Sequence, residues 1–147
     1  MSSYPAPSEP VYTIGVAAKM LGISVPTVRM YEREGLILSY KSPTGHRYYS
    51  QTDMDRLVCI RKMITQEKVS INGIRHLMSL IPCWEITKCQ ELERNKCQAY
   101  LNSTEPCWMI KDKQGICKID DCRKCPVYNE IATCGDFKKM IWHSKEN

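Results

Sequence analysis

The chain has no apolar run near the roughly 18 residues that a membrane span requires. Its 147 residues are 43% hydrophobic, an ordinary share for a globular protein. The N-terminal SSYPAPSEP has no apolar core of the kind a secretory signal needs. Its Ser and Pro content predicts a short disordered arm over residues 1–10. No Gly-rich phosphate loop occurs, and no nucleophile, base and orienting group stand at a recognisable spacing, which argues against an enzyme. Charge of one sign is scarce too, since a net +5 does not argue for nucleic acid on its own. These absences leave a cytoplasmic, non-enzymatic protein with no membrane partner as the expectation. Disulfides are rare in that compartment, and clustered cysteines more often bind metal or do redox chemistry there.

The charge that is present is unevenly placed. Residues 1–82 hold 10 Lys/Arg against 6 Asp/Glu, whereas residues 83–147 hold 11 against 10. Within the basic half, Val16, Ala17, Met20 and Leu21 recur at helical spacing until Gly22. Ser24 is a good N-cap for a second helix, Pro26 is tolerated in its first turn, and Gly35 is a stop. Leu36 and Ile37 return toward the core, and Ser42-Pro43-Thr44-Gly45 is turn chemistry between two short extended runs, hence a wing. Ser50 with Asp53 predicts a capping-box start for a third helix carrying Met54, Leu57, Val58, Ile60, Met63 and Ile64. Ser70 caps a fourth, with Ile71, Ile74, Leu77, Met78 and Ile81 inward, and Pro82 ends it. The fold class that follows is mainly α: a winged helix-turn-helix of four helices and a small β wing over residues 11–82.

That scaffold carries a dense set of cationic and aromatic side chains. Arg29 and Arg33 lie one helical turn apart, and Arg suits both phosphate forks and guanine edges. Thr27 shares their helix; Tyr31 follows Val28 at i+3 and reads equally as core ring or as phosphate partner. In the wing, Arg47 has no acidic neighbour in sequence and reads as a phosphate contact, while Lys41 and His46 are weaker candidates of the same kind. Tyr48 and Tyr49 point to opposite sides of a strand, so one is core and the other exposed.

From Cys83 onward the periodicity fades, and eight of the nine cysteines fall between Cys83 and Cys134. CWEITKCQELERNKCQAY and CWMIKDKQGICKIDDCRKCPVY form a weak internal repeat, each opening on Cys-Trp and closing on Cys-x-x-Tyr. So few aliphatic residues can hardly bury an adequate core, so a staple is required, and in a reducing compartment metal is favoured over disulfide. Cys122-x-x-Cys125 has chelate spacing and Cys117-x4-Cys122 is within range; Cys83, Cys89, Cys97, Cys107 and Cys134 complete the candidate ligand set. Zinc and an iron-sulfur cluster both fit four thiolates, and a redox-switched disulfide is the remaining reading. Trp84 and Trp108 are expected to fill the small core around such a site, and Cys59, between Val58 and Ile60, to be a small core residue. A short terminal helix is expected around Phe137, Met140 and Ile141.

YTIGVAAKMLGISVPTVRMYEREGL followed by GHRYYSQTDMDRL resembles the MerR family of transcription regulators, and its phrasing is most similar to the heat-shock repressor (HspR) branch. The resemblance implies homodimers on pseudo-palindromic, double-stranded promoter DNA, with the second helix in the major groove and the wing on the flanking backbone. Carried over by position, it assigns DNA contact to Thr27, Arg29, Tyr31, Arg47 and Tyr48. RNA polymerase is the further partner it implies. The chain departs from the family after Pro82, where many members have a long helix that pairs as an antiparallel coiled coil. Residues 83–147 instead resemble the cysteine-rich two-CW domain, through CW-x4-C, Cys-x-x-Tyr, a second CW and Cys-x-x-Cys. The expectation is a promoter-binding regulator whose cysteine-rich part is a metal or redox sensor or a structural cap. The alternative is a protein-interaction or thiol-redox module that the DNA-binding part only delivers.

Overall fold

Side-chain caps fix where the helices begin. The computed structural model describes residues 4–101, 104–110, 121–130 and 133–143. A two-residue strand β1 (Tyr12–Thr13) leads into α1 (Ile14–Leu21), where the Thr13 hydroxyl accepts from the Val16 N–H at 3.2 Å. Ser24 does the same for α2 (Val25–Arg33) through the Thr27 N–H, also at 3.2 Å. At α3 (Gln51–Thr65) the box is reciprocal: the Ser50 hydroxyl accepts from the Asp53 N–H at 3.1 Å, and the Asp53 carboxylate accepts from the Ser50 N–H at 2.8 Å. Ser70 opens α4 (Ile71–Ser79).

Between α2 and α3 lie β2 (Tyr40–Lys41) and β3 (Arg47–Tyr49), joined by a tight turn in which the Ser42 N–H donates to the His46 carbonyl at 2.8 Å. Gly45 takes φ 86° there, a left-handed value that glycine adopts without a Cβ penalty. The antiparallel sheet runs β1-β3-β2, with Tyr12 opposite Tyr49 and Lys41 opposite Arg47. The strand β1 is an addition to the expected two-stranded wing; two residues are too short to show periodicity.

The buried face of α1 is rotated from the one expected. Ala17 and Ala18 are inside, while Val16 and Met20 are 45% and 55% exposed. Alanines in contact allow α1 and α2 to approach closely, and that outweighs burying the larger side chains. Likewise Val58 and Leu77, expected inward, are exposed. Leu36, Ile37, Leu57, Ile60 and Ile74 are fully buried, each worth about 1.5–3 kcal/mol of transfer free energy.

After Pro82 the chain forms one-turn helices: α5 (Cys83–Ile86), α6 (Glu91–Arg94), α7 (Gln98–Leu101) and α8 (Pro126–Asn129), with 3-10 turns at Cys107–Met109 and Cys122–Lys124. The terminal helix α9 (Cys134–His143) lies where one was expected. One hydrophobic core spans both parts, joining Val28, Tyr31 and Leu57 to Trp108, Val127 and Tyr128. At the other end of the chain, the Pro7 carbonyl accepts from both the N–H and the hydroxyl of Thr52, at 3.0 and 3.2 Å. Residues 1–3 of the expected arm lie outside the described residues.

Candidate functional site

Two features built from the sequence-predicted residues stand out: a cationic face on α2 and the wing, and a cavity lined by cysteines. On α2, Arg29 and Arg33 are exposed, and Thr27 is half-exposed at the first turn, its Oγ1 2.7 Å from Ser24 Oγ. In the wing Lys41 and His46 are exposed and Tyr48 is half-buried. Tyr49, its neighbour on the opposite side of β3, is fully buried. Burial first, and then the Glu32 carboxylate, push the Tyr49 phenol far above its usual range.

Arg47 differs from its expectation. Its Nε donates to Glu32 Oε2 at 2.6 Å, with the two side chains 35% and 18% exposed. The acidic neighbour was invisible in sequence because it sits 15 residues away on α2. The pair fixes the wing against the helix it flanks, and among the described residues the Arg47 Nη atoms have no protein partner. Tyr31 is 1% exposed, and its hydroxyl accepts from Arg61 Nη1 at 3.2 Å. Its ring is core, which is one of the two readings its spacing left open; the packing of α2 claims the ring.

Six of the eight candidate metal ligands meet in one place. Cys83, Cys89, Cys97, Cys107, Cys122 and Cys125 line a single cavity of about 330 Å³. Cys117 lies outside the described residues. Cys134 is elsewhere, disulfide-bonded to Cys59 with their Cα atoms 5.5 Å apart. Both residues therefore depart from expectation: Cys134 is not at the cavity, and Cys59 is a half-buried cross-link from α3 to α9. A pairing across 75 residues leaves no local signal. Among the described residues, no three thiol, imidazole or carboxylate groups converge as a single metal ion would require.

The weak sequence repeat is a structural one. Trp84 meets Tyr100 edge-on at 4.8 Å and 85°, and Trp108 meets Tyr128 edge-on at 5.3 Å and 85°. Each half-repeat thus closes the Trp of its Cys-Trp onto the Tyr of its own Cys-x-x-Tyr.

The second half-repeat is welded to the helix-turn-helix at the end of α2. Trp108 Nε1 donates to the Gly35 carbonyl at 2.7 Å. Gly35 has φ 79°, a left-handed value that favours glycine, and a Cβ there would displace the Met109 side chain packed against it. The Tyr128 hydroxyl donates to Asp53 Oδ1 at 2.6 Å and accepts from the Leu38 N–H at 2.8 Å. Arg123 Nη1 reaches Asp53 Oδ2 at 3.3 Å and the Leu38 carbonyl at 3.1 Å. Arg56, 2% exposed, donates to the Tyr128 carbonyl and lies 4.2 Å from the Tyr128 ring centroid and 5.1 Å from that of Trp108. Burial, and next the Asp53 carboxylate, drive the Tyr128 phenol far up, so the hydroxyl stays a proton donor. Burial pulls the Arg56 guanidinium down, opposed by Tyr128 and Asp53.

Asp53, Arg56, Arg123 and Gly35 were not legible as a joint. The only signal was the closing Tyr of Cys-x-x-Tyr, which repeats at Tyr100 and Tyr128.

Comparison with known proteins bears on the first half most directly. Residues 12–81 match the family model of the MerR HTH family regulatory proteins. HspR, a heat shock protein of Streptomyces coelicolor, is 32% identical over 71 residues, covering 48% of this chain and 47% of its own. The mercuric resistance operon regulatory protein of Pseudomonas fluorescens is 36% identical over 80 residues, 54% of this chain and 53% of its own. The heavy metal-dependent transcription regulator 1 of Rhizobium meliloti is 29% identical over 138 residues, 86% of this chain and 90% of its own. The chain spans about half the length of the first two relatives. No solved structure matches it significantly. No helix among the described residues is long and apolar enough to cross a membrane. With its capped helix pair and its wing, the chain is similar over residues 12–81 to the MerR HTH family regulatory proteins.

Proposed function

We propose that this chain is a sequence-specific, DNA-binding transcription regulator of the cytoplasm, in which residues 11–82 read the promoter and residues 83–147 sense or cap. The observation that carries it is the exposed cationic face: Arg29 and Arg33 on α2, with a wing bearing Lys41, His46 and Arg47 pinned beside it by Glu32. Cations on a helix and an adjacent hairpin match a groove and the phosphates that flank it. Arg29 and Thr27 would face base edges; Arg33, Arg47, Lys41, His46 and the Tyr48 hydroxyl would serve phosphates. Pseudo-palindromic DNA requires a homodimer. Among the described residues, none of the helices after α4 exceeds the 10 residues of α9, so the contact would not be a long coiled coil. The mercuric and heavy-metal wording of the relatives supports bound metal, zinc or iron-sulfur, in the cysteine-rich part.

The wing gives a clean test. Arg47→Ala removes one phosphate contact per protomer, so binding to specific and random duplexes should weaken alike. The log-log salt slope of a dimer should fall by about 2, near 0.9 for each phosphate lost. Because the substitution also releases Glu32, it should be measured in parallel with Glu32→Gln, which leaves the Arg47 charge in place. Fluorescence anisotropy over a salt series reads both. An unchanged slope for Arg47→Ala would remove the wing from the interface.

A further inference from the structure

The one disulfide among the described residues lies outside the cysteine-lined cavity. It joins Cys59 on α3 to Cys134, the first residue of α9, across 75 residues. Six other described cysteines are free thiols, although all six line one cavity. The bond therefore forms not where cysteines are densest but where the last helix meets the helix-turn-helix part. Cys59 and Cys134 are both half-buried. Sulfurs that reagents can reach make the labile, regulatory disulfides, whereas deeply buried ones are inert.

The surroundings of the pair suit exchange. Both residues line a second cavity, of about 140 Å³, between α3, α4 and the start of α9. Hydrogen peroxide is only slightly larger than water, whose share of liquid volume is about 30 Å³. The cavity thus admits a small oxidant and gives two thiols room to part. Arg56, one turn before Cys59, lines it, and Cys134 stands at a helix start. A guanidinium and open helix N–H groups favour the thiolate, against the nearby carboxylates of Glu67 and Asp136.

We propose that Cys59 and Cys134 are a reversible thiol–disulfide switch that fastens α9 to α3 under oxidising conditions and releases it under reducing ones. With a peroxide as oxidant, one thiolate attacks a peroxide oxygen, the O–O bond breaks, and a sulfenic acid and one water form. The second thiolate attacks that sulfur, the hydroxyl leaves as a second water, and the S–S bond closes. In the reverse direction two molecules of a small thiol reduce the bond by exchange and leave as their own disulfide. The capping of α9 is internal: the Thr133 N–H donates to Asp136 Oδ2 and the Asp136 N–H to Thr133 Oγ1, both at 3.0 Å. A helix of 10 residues is marginal in water even so, and losing its covalent tie loosens it. Arg56 also donates to the Tyr128 carbonyl and lies over the Trp108 ring, so opening the bond bears on the joint with α2. That consequence for DNA reading rests on the function proposed above, whereas the thiol chemistry does not.

The test equilibrates the full chain, without denaturant, in reduced glutathione, in oxidised glutathione and in hydrogen peroxide. Free thiols are alkylated, and the peptide linking Cys59 to Cys134 is quantified by mass spectrometry. The expected result is a bond that opens in excess reduced glutathione and forms again with either oxidant. Trypsin reads the release of α9, because Lys138 and Lys139 are exposed but are cut only when the helix opens locally. Cleavage there should be at least about tenfold faster in the reduced chain. Cys59→Ser and Cys134→Ser should each be cut at the fast rate in every buffer. A bond that survives reduced glutathione would be a permanent staple and would overturn the proposal, as would thiols that stay free in peroxide. Equal cleavage of the reduced and oxidised chains would overturn the release of α9. DNA affinity of the two forms is compared separately and should differ. Equal affinities would overturn the link to α2, and a failure of both forms to bind any duplex would overturn the DNA reading without touching the thiol result.

Discussion

Asp53→Ala should lower the unfolding free energy by about 3–5 kcal/mol, the range for breaking a buried pair by removing one partner. Asp53 is fully buried, and three elements converge on its carboxylate. The Ser50 N–H at 2.8 Å closes the cap of α3, the Tyr128 hydroxyl at 2.6 Å anchors α8, and Arg123 at 3.3 Å anchors the preceding 3-10 turn. Loss of the cap alone costs about 1 kcal/mol. The rest comes from a guanidinium and a hydroxyl left without their anion in a dry site. Tyr128→Phe removes two hydrogen bonds, the one donated to Asp53 and the one accepted from the Leu38 N–H, and should cost about 1–3 kcal/mol. Urea unfolding of the three proteins reads the difference. Equal, small losses for both variants would mean that the cysteine-rich part does not depend on Asp53 for its seat.

Arg29→Ala should have the largest effect on function. Arg29 is exposed on α2, one turn from Arg33, and in the function proposed above it reaches a base edge from the major groove. A bidentate contact to guanine discriminates by about 1–3 kcal/mol, so a dimer that reads two half-sites should lose about 2–6 kcal/mol at its best sequence. Binding to random duplex should change far less, which separates Arg29 from Arg47. Arg29→Lys should recover the charge and the non-specific affinity but not the discrimination, because an ammonium lacks the planar fork. Competition binding with specific and random duplexes measures the ratio; equal losses on both would place Arg29 on phosphate instead.

What could be read in the sequence was local. Ser24, Ser50 and Ser70 each announce a helix through a cap formed within three residues, and each helix begins there. Gly35 marked the end of α2, although its tie to Trp108, 73 residues away, did not show. Asp53 was legible as a capping residue but not as the anion for Tyr128, 75 residues later. The same limit hid Glu32 from Arg47 and Cys59 from Cys134, since none of these pairs leaves a period or a spacing in the chain. The rotated face of α1 has another cause: the pattern of Val16, Ala17, Met20 and Leu21 weights side-chain size, whereas close helix packing selected Ala17 and Ala18. In the cysteine-rich part, the repeat was visible as letters, but one-turn helices have no amphipathic stripe from which a layout follows.

The proposed function rests on α2 and the wing reading duplex DNA as a two-fold pair. Selection of the full chain against a pool of random duplexes tests this most directly, because the pool contains every candidate half-site and the promoter need not be identified first. The predicted result is enrichment of a sequence with two inverted half-sites, abolished in Arg29→Ala. A pool that stays random after repeated rounds, with wild-type protein folded and its salt-sensitive binding absent, would contradict it.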